Sequence, residues 1–222
     1  MTDFAARNAE TLDDLRKALA PHVAAAAVFD GWSDAAVASA AASQGVDPAL
    51  AAYAFKGGAM AMIAAWIAHA DAAMADALPA DRLAAMPVRA RIRSLVLARL
   101  NAVAGQREAL RRALAIMAMP RNAPRALELG WQSADAMWRL AGDTATDYNH
   151  YTKRTILAGV YAATLAVFVD DASEDYAATT AFLDRRIDGI MRFEKAKARL
   201  LKPADERFSL VRLLGRMRYP AT

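Results

Sequence analysis

The sequence predicts an all-α protein, and three observations carry the prediction. Roughly a quarter of the residues are alanine, the strongest helix former. Hydrophobic residues fill 56% of the 222 positions and recur at helical spacing, with no stretch that alternates apolar and polar residues as a half-buried strand would. Third, only Thr155, Gly159 and Thr164 interrupt the aliphatic, aromatic and alanine side chains from Thr155 to Val169. With no polar face, that helix is expected to be buried all round. Its fifteen residues fall short of the about 20 that cross a bilayer, so it is expected to be the central helix of a soluble core.

The elements follow in order. Thr11 and Asp14 resemble a capping box, and Leu12, Leu15, Leu19 and Val23 set a first helix ending between Pro21 and Val28. Ser33 caps a second, over Asp34 to Ser43, which Gly45 ends; Asp47 and Pro48 start a third, reaching about Phe55. The fourth spans about Gly58 to Leu78 around Met60, Ile63, Trp66 and Ile67, and Pro79 and Pro87 bracket a link. The fifth carries Ile92, Leu95, Val96, Leu100 and Val103, with Arg89, Arg91, Arg93 and Arg99 expected on a solvated face. Gln106 to Met119 forms the sixth, stopped by Pro120. The seventh ends at Gly142; Trp131 and Trp138 share one face, suited to core packing or to walling a cavity.

A polar loop, GDTATDYNHYTKR, leads into the apolar helix, which is the eighth. The acids Asp170, Asp171, Glu174 and Asp175 lack the spaced ligands and turn glycine of an EF-hand, so a solvated turn with helix-capping acids is expected. The ninth helix runs from Ala177 to about Leu200, apolar at Phe182, Leu183, Ile187, Ile190, Met191 and Phe193. After a linker at Lys202 to Asp205, Leu210, Leu213, Leu214 and Met217 gather on one side of a last helix and Arg212 and Arg216 on the other. Such a cationic amphipathic helix suits a membrane surface, its own domain or a dimer partner. Three regions result: 1–56, 57–200 and 201–222.

Composition narrows the function classes. With no cysteine, disulfides and thiol chemistry are excluded, and His22, His69 and His150 have no ligand-like spacing. No phosphate loop, Glu-x-x-His pair or nucleophile elbow occurs, so no catalytic residue, metal site or cofactor is expected. Met1 to Glu10 has Asp3 and Glu10 and no apolar core, which predicts neither a signal nor a transit peptide and so a cytoplasmic protein. The net charge of +4 permits nucleic acid or an anionic membrane without requiring either.

The first three helices resemble the helix-turn-helix domain of TetR-type regulators. A recognition helix needs Arg, Lys, Asn or Gln at base edges, whereas this one offers Asp47, Pro48, Ala49, Leu50, Ala51, Ala52, Tyr53 and Ala54. It is a degenerate motif, and no nucleic-acid partner is expected.

GDTATDYNHYTKR, LAGVY and AFLDRRIDGIMRFEKAK, with LPADRL, MPRNAPRALELGW and LGRMRYP, resemble the ninth Coq family, a lipid-binding accessory protein of ubiquinone biosynthesis. The resemblance implies an all-α, TetR-like helical bundle with a C-terminal amphipathic helix and no enzymatic activity. It implies binding of an isoprenoid quinone precursor or phospholipid and its presentation to the di-iron demethoxyubiquinone hydroxylase on the inner face of the membrane. The lipid is expected between the seventh and eighth helices, at Trp131, Met137, Trp138, Tyr161, Leu165 and Phe168. The family's docking patch maps to Met137, Trp138, Asp147, His150, Tyr151 and Arg154, although Tyr151 and Arg154 equally suit a first helical turn packed on Asp147; His150 stands where relatives often carry tryptophan. Leu210, Arg212, Leu213, Leu214, Arg216 and Met217 are the expected membrane contacts. A homodimer through the eighth and ninth helices would suit the fold. The rival reading is a ligand-responsive TetR-type transcription regulator.

Overall fold

The computed structural model describes residues 9, 11–144 and 148–200, and the side chains among them except those of 148, 149 and 193–200. The described residues form ten α-helices and no strand: α1 (Leu12–Asp30), α2 (Asp34–Gln44), α3 (Pro48–Ala54), α4 (Ala59–Ala77), α5 (Ala80–Ala84), α6 (Val88–Val103), α7 (Arg107–Met117), α8 (Ala123–Leu140), α9 (Tyr148–Asp170) and α10 (Ala177–Leu200). The chain divides into two compact units, residues 1–184 and 185–222. Helices α1 to α9 and the start of α10 belong to the first; the described part of the second is the remainder of α10.

Local chemistry starts and stops these helices. Thr11 accepts the Asp14 amide at 3.2 Å and donates to its carboxylate at 2.6 Å, opening α1. This helix continues through Pro21 to Asp30, beyond the expected stop at Val28. A proline inside a helix removes one backbone donor, and α1 tolerates it while burying Leu15, Leu19, Val23 and Ala27. Gly45 ends α2 in the left-handed region at φ 63°, where a Cβ would be strained. Asp47 then accepts the Ala49 amide at 2.8 Å and Pro48 takes the first position of α3.

Helix α4 is the centre of the first unit, contacting α1, α6, α7 and α8 and burying Met62, Ile63, Trp66, Ala70 and Met74. Apart from Ala70, each of these side chains contributes about 1.5–3 kcal/mol through burial. Trp32 lies 5.3 Å from Trp66, centroid to centroid, and its indole donates to the Ala109 carbonyl at 2.9 Å, joining α7 to the packing of α1 and α4.

Four expectations need correction. The link between Pro79 and Pro87 contains the short helix α5, which buries Leu83. The loop expected before the apolar helix is already helical from Tyr148, so α9 is 23 residues long. The length argument against a membrane span therefore lapses: His150–Asp170 is long and apolar enough to cross one by composition, although 39% of its most apolar window is buried within the fold. Nor is α9 buried all round. Leu157, Tyr161, Thr164, Leu165 and Phe168 face inward, whereas Thr155, Gly159, Ala162 and Ala166 form an exposed row of small side chains. Small apolar groups expose little area, which is why an apolar sequence can leave a face in water.

The acidic turn is likewise not simply solvated. Asp171 is buried and accepts from the Ser173 amide and hydroxyl at 2.9 and 2.5 Å and from the Thr179 amide and hydroxyl at 2.8 and 2.5 Å. The Thr179 amide is a first-turn donor of α10 satisfied in this way, and the bonds together, with Ser173 contributing most, hold the Asp171 carboxyl well below the usual carboxylate range.

Candidate functional site

Helices α4, α6, α7, α8 and α9 surround a pocket of about 240 Å³. Its walls are Ile63, Trp66, Ile67, Ala70, Val103, Leu110, Ala113, Leu114, Met117, Leu129 and Leu165. Gly130, Ala126, Ala158 and Ala162 keep the facing surfaces of α8 and α9 low, so the space lies where large side chains are missing. Leu127 lines it while 76% exposed and Ala162 is exposed as well, which marks the mouth.

One polar cluster interrupts this lining. Arg99 on α6 is only 4% exposed. Its Nε donates to Asp71 on α4 at 2.5 Å, one terminal nitrogen donates to the Tyr161 hydroxyl on α9, and the other donates to Ser133 on α8 at 3.1 Å. The Ser133 hydroxyl in turn donates to the second Asp71 oxygen at 3.0 Å. The guanidinium also lies 4.7 Å from the centre of the Tyr161 ring, a favourable cation–π placement. Burial opposes the charge on Arg99, but Tyr161 and Asp71 more than offset it and the guanidinium is held above its ordinary value. Burial pushes the Tyr161 phenol up, so it keeps its proton. Arg99, Ser133 and Tyr161 all line the pocket.

This overturns the expected solvated arginine row. Arg93 pairs with Asp184 at 2.6 Å at the surface, Arg91 donates to the carbonyls of Met86 and Ala141, both at 2.8 Å, and Arg99 is interior. Its spacing carried the signal: Arg99 falls three or four residues from Leu95, Val96 and Val103, inside the apolar line of α6.

Of the six residues expected at the lipid site, Tyr161 and Leu165 line the pocket. Phe168 is fully buried against the Tyr176 ring, 4.8 Å between centroids, and Met137 is fully buried in α8. Trp138 donates to the Lys153 carbonyl at 3.0 Å. Trp131 stacks on Tyr151 at 6.0 Å and lies 6.5 Å from His150. Asp71, Arg99 and Ser133 were not anticipated, because their meeting depends on contacts between residues 28 to 62 positions apart.

The expected docking patch divides similarly. Tyr151 is 62% exposed, with His150 beside it at 5.1 Å and Trp131 beneath. Arg154 points the other way and is 1% exposed. It donates to Asp135 at 2.5 Å, to Asp143 at 3.0 Å and to the His150 carbonyl at 3.1 Å. Burial opposes its charge, and the two carboxylates nonetheless raise it. Lys153 and Arg139 complete the cluster, on Asp143 at 2.7 Å and Asp135 at 2.8 Å. Asp147 and the expected membrane contacts Leu210, Arg212, Leu213, Leu214, Arg216 and Met217 lie outside the described residues. Among the described residues, no three His, Cys, Asp or Glu side chains gather to hold a metal ion.

On α3, Leu50 and Tyr53 are the exposed large side chains, 47% and 53% accessible, and Lys56 lies over the Tyr53 ring at 4.6 Å. That surface has little to offer a base edge.

Residues 123–194, which cover α8, α9 and most of α10, match the COQ9 family model. The protein called "Ubiquinone biosynthesis protein COQ9, mitochondrial" is 46% identical in Rattus norvegicus over 80 residues, 36% of this chain and 26% of that one. Its Xenopus tropicalis counterpart is 30% identical over 168 residues, 72% of this chain and 53% of its own. The matched chain thus spans about half the length of that relative and about a quarter of the rat one. A crystal structure of the TetR transcriptional regulator from Nitrosomonas europaea ATCC 19718 superposes with a TM-score of 0.63 at 20% identity, over 79% of this chain and 97% of that one. The fold is therefore an all-α, TetR-like bundle.

Proposed function

Given that this is a COQ9-family chain, we propose that it serves ubiquinone biosynthesis as a non-enzymatic lipid-binding accessory protein. In this reading it takes up a polyprenyl quinone precursor and presents it to the demethoxyubiquinone hydroxylase at the inner face of the membrane. The pocket between α4, α6, α7, α8 and α9 is the observation that carries the reading. At about 240 Å³ it is smaller than the ~300–1,000 Å³ that encloses a drug-sized ligand. It suits one end of a long amphiphile whose remainder leaves past Leu127.

The hydroxylase is proposed to dock on the exposed ring of Tyr151, supported by His150 and Trp131. An aromatic anchor of this kind suits a binding hot spot. Arg154 acts from beneath, fixing the first turns of α9 through Asp135 and Asp143. The terminal helix is proposed to supply the membrane contact, and the exposed row on α9 supports a homodimer through that face. The apolar surface of α3 argues against the transcription-regulator reading, which predicts salt-dependent retention on DNA.

Mass spectrometry of lipid extracted from the purified protein tests the central claim. A polyprenyl quinone or its precursor should be recovered above membrane background. Recovery of no apolar molecule from folded protein would refute it in favour of a protein-protein adaptor. For the docking face, Tyr151→Ala should lower hydroxylase capture at least tenfold without moving the melting temperature; undiminished capture would place the partner elsewhere.

A further inference from the structure

We infer that the Asp71–Arg99–Ser133–Tyr161 cluster is the head-group subsite of the pocket, and that it selects a neutral oxygen acceptor, such as a quinone or ketone carbonyl, entering ring first. The inference rests on the proposed lipid-binding reading and adds to it an orientation, a chemical class and the residues responsible.

The cluster is an unusual lining for a space otherwise walled by apolar groups. Buried polar groups are ordinarily closed on one another, because each unmade bond in a low dielectric is costly. Here the acceptors are closed and some donors are not. Both Asp71 oxygens are engaged, one by Arg99 and one by Ser133. The single proton of Ser133 goes to Asp71. Arg99 directs three of its N–H groups to Asp71, Tyr161 and Ser133, out of the five a guanidinium carries. The Tyr161 oxygen accepts from Arg99, and among the described residues no acceptor meets its own proton. What remains at this end of the pocket is the Tyr161 O–H and the residual N–H capacity of Arg99. A ligand that satisfies donors must bring an acceptor.

Charge narrows the class further. Asp71 and Arg99 form an ion pair at 2.5 Å, both inside the fold, so the subsite carries no net charge. A phosphate or carboxylate would lose its hydration and gain a guanidinium already matched by a carboxylate. A carbonyl loses far less water and still accepts from Tyr161 and Arg99. Depth supplies the direction: Arg99 and Tyr161 are 4% and 5% exposed, whereas Leu127 at the mouth is 76% exposed. The polar end of the ligand therefore goes in and its hydrocarbon chain trails outward.

Tyr161→Phe is the discriminating variant, since it keeps the ring under Arg99 and removes only the hydroxyl. Full-length protein would be titrated with decylubiquinone, with decylbenzene, which shares the tail but lacks the oxygens, and with decyl phosphate, each competing against one fluorescent apolar probe. The wild type should prefer decylubiquinone to both others. Tyr161→Phe should weaken decylubiquinone about three- to tenfold, the loss of one neutral hydrogen bond, and leave decylbenzene unchanged. Equal affinity of variant and wild type for the quinone, or an equal loss for quinone and decylbenzene, would overturn the assignment. So would a preference for decyl phosphate. If the wild type bound none of the three, the lipid-binding reading itself would fail, an outcome distinct from a head group seated elsewhere.

Discussion

Among the described residues two arginines are buried, and they do different things with the same side chain. Arg154 is 1% exposed between α8 and α9, donating to two carboxylates and a carbonyl, with two further cations on the same carboxylates. Arg99, 4% exposed, meets one carboxylate and two hydroxyls and then faces open space. A cluster set apart from the pocket holds its helices together. One that borders a cavity with donors in reserve can also recognise something.

The largest expected effect tests the Arg154 cluster. Arg154→Met would remove its bonds to Asp135 and Asp143, leaving those carboxylates to Arg139 and Lys153 alone, and two charge-assisted bonds at about 1.5–3 kcal/mol each make the loss about 3–5 kcal/mol. At this chain length each kcal/mol moves the melting temperature by roughly 2–4 °C, so thermal unfolding followed by circular dichroism should shift downward by roughly 6–20 °C. A shift of a degree or two would remove the contrast between the two sites.

Arg99→Met ranks next, at about 2–3 kcal/mol. It strands a single carboxylate, Asp71, and that group borders a cavity into which water can enter. The order of the two variants is the informative quantity: if Arg99→Met were the more destabilising, the pocket-side cluster would be the main structural tie.

Acid sharpens the comparison from another side. Ser173 and Thr179 depress the Asp171 carboxyl, and on Asp143 the bonds from Lys153 and Arg154 prevail over burial, which opposes them. A carboxyl whose folded pKa lies below its unfolded value, about 3.9, contributes stability above that pH and loses it as pH falls toward the folded pKa. Asp171→Asn should cost about 1–2 kcal/mol near neutrality, as other helix caps do. The gap from wild type in urea unfolding should narrow below about pH 4. A gap constant with pH would mean that the charge of Asp171 is not what matters.

The smallest effect is expected far from both clusters. Leu50→Ser with Tyr53→Ser on α3 should change stability by less than about 0.5 kcal/mol each, because both side chains are already half in water. A large loss would reveal a packing role for that surface.

Much of the helical layout was legible from residue types alone. Thr11, Gly45, Asp47 and Pro48 act locally, within four residues of their own backbone, and the structure uses each where it was expected. The limits of α9 were harder. Its first turns are polar in sequence and become helical where Arg154 and Lys153 meet Asp135 and Asp143, acids 10 to 19 positions away. The pocket was only partly legible. Tyr161 and Leu165 could be placed from the apolar stripe of one helix, but Arg99 stands among charged neighbours and resembles them until its position along Leu95, Val96 and Val103 is weighed. Its partner Asp71 could not be chosen from among the acids by spacing, since the two meet only once α4 and α6 have packed.

The Trp32–Trp66 pair supplies an optical handle on all of this. Two indoles with centroids 5.3 Å apart and planes inclined at 46° are close enough for their excited states to couple, and Trp66 is also a wall of the pocket. Filling the pocket should alter the near-ultraviolet circular dichroism of that couple and, with a quinone, quench its emission. The protein thus carries its own gauge of occupancy, readable without a label.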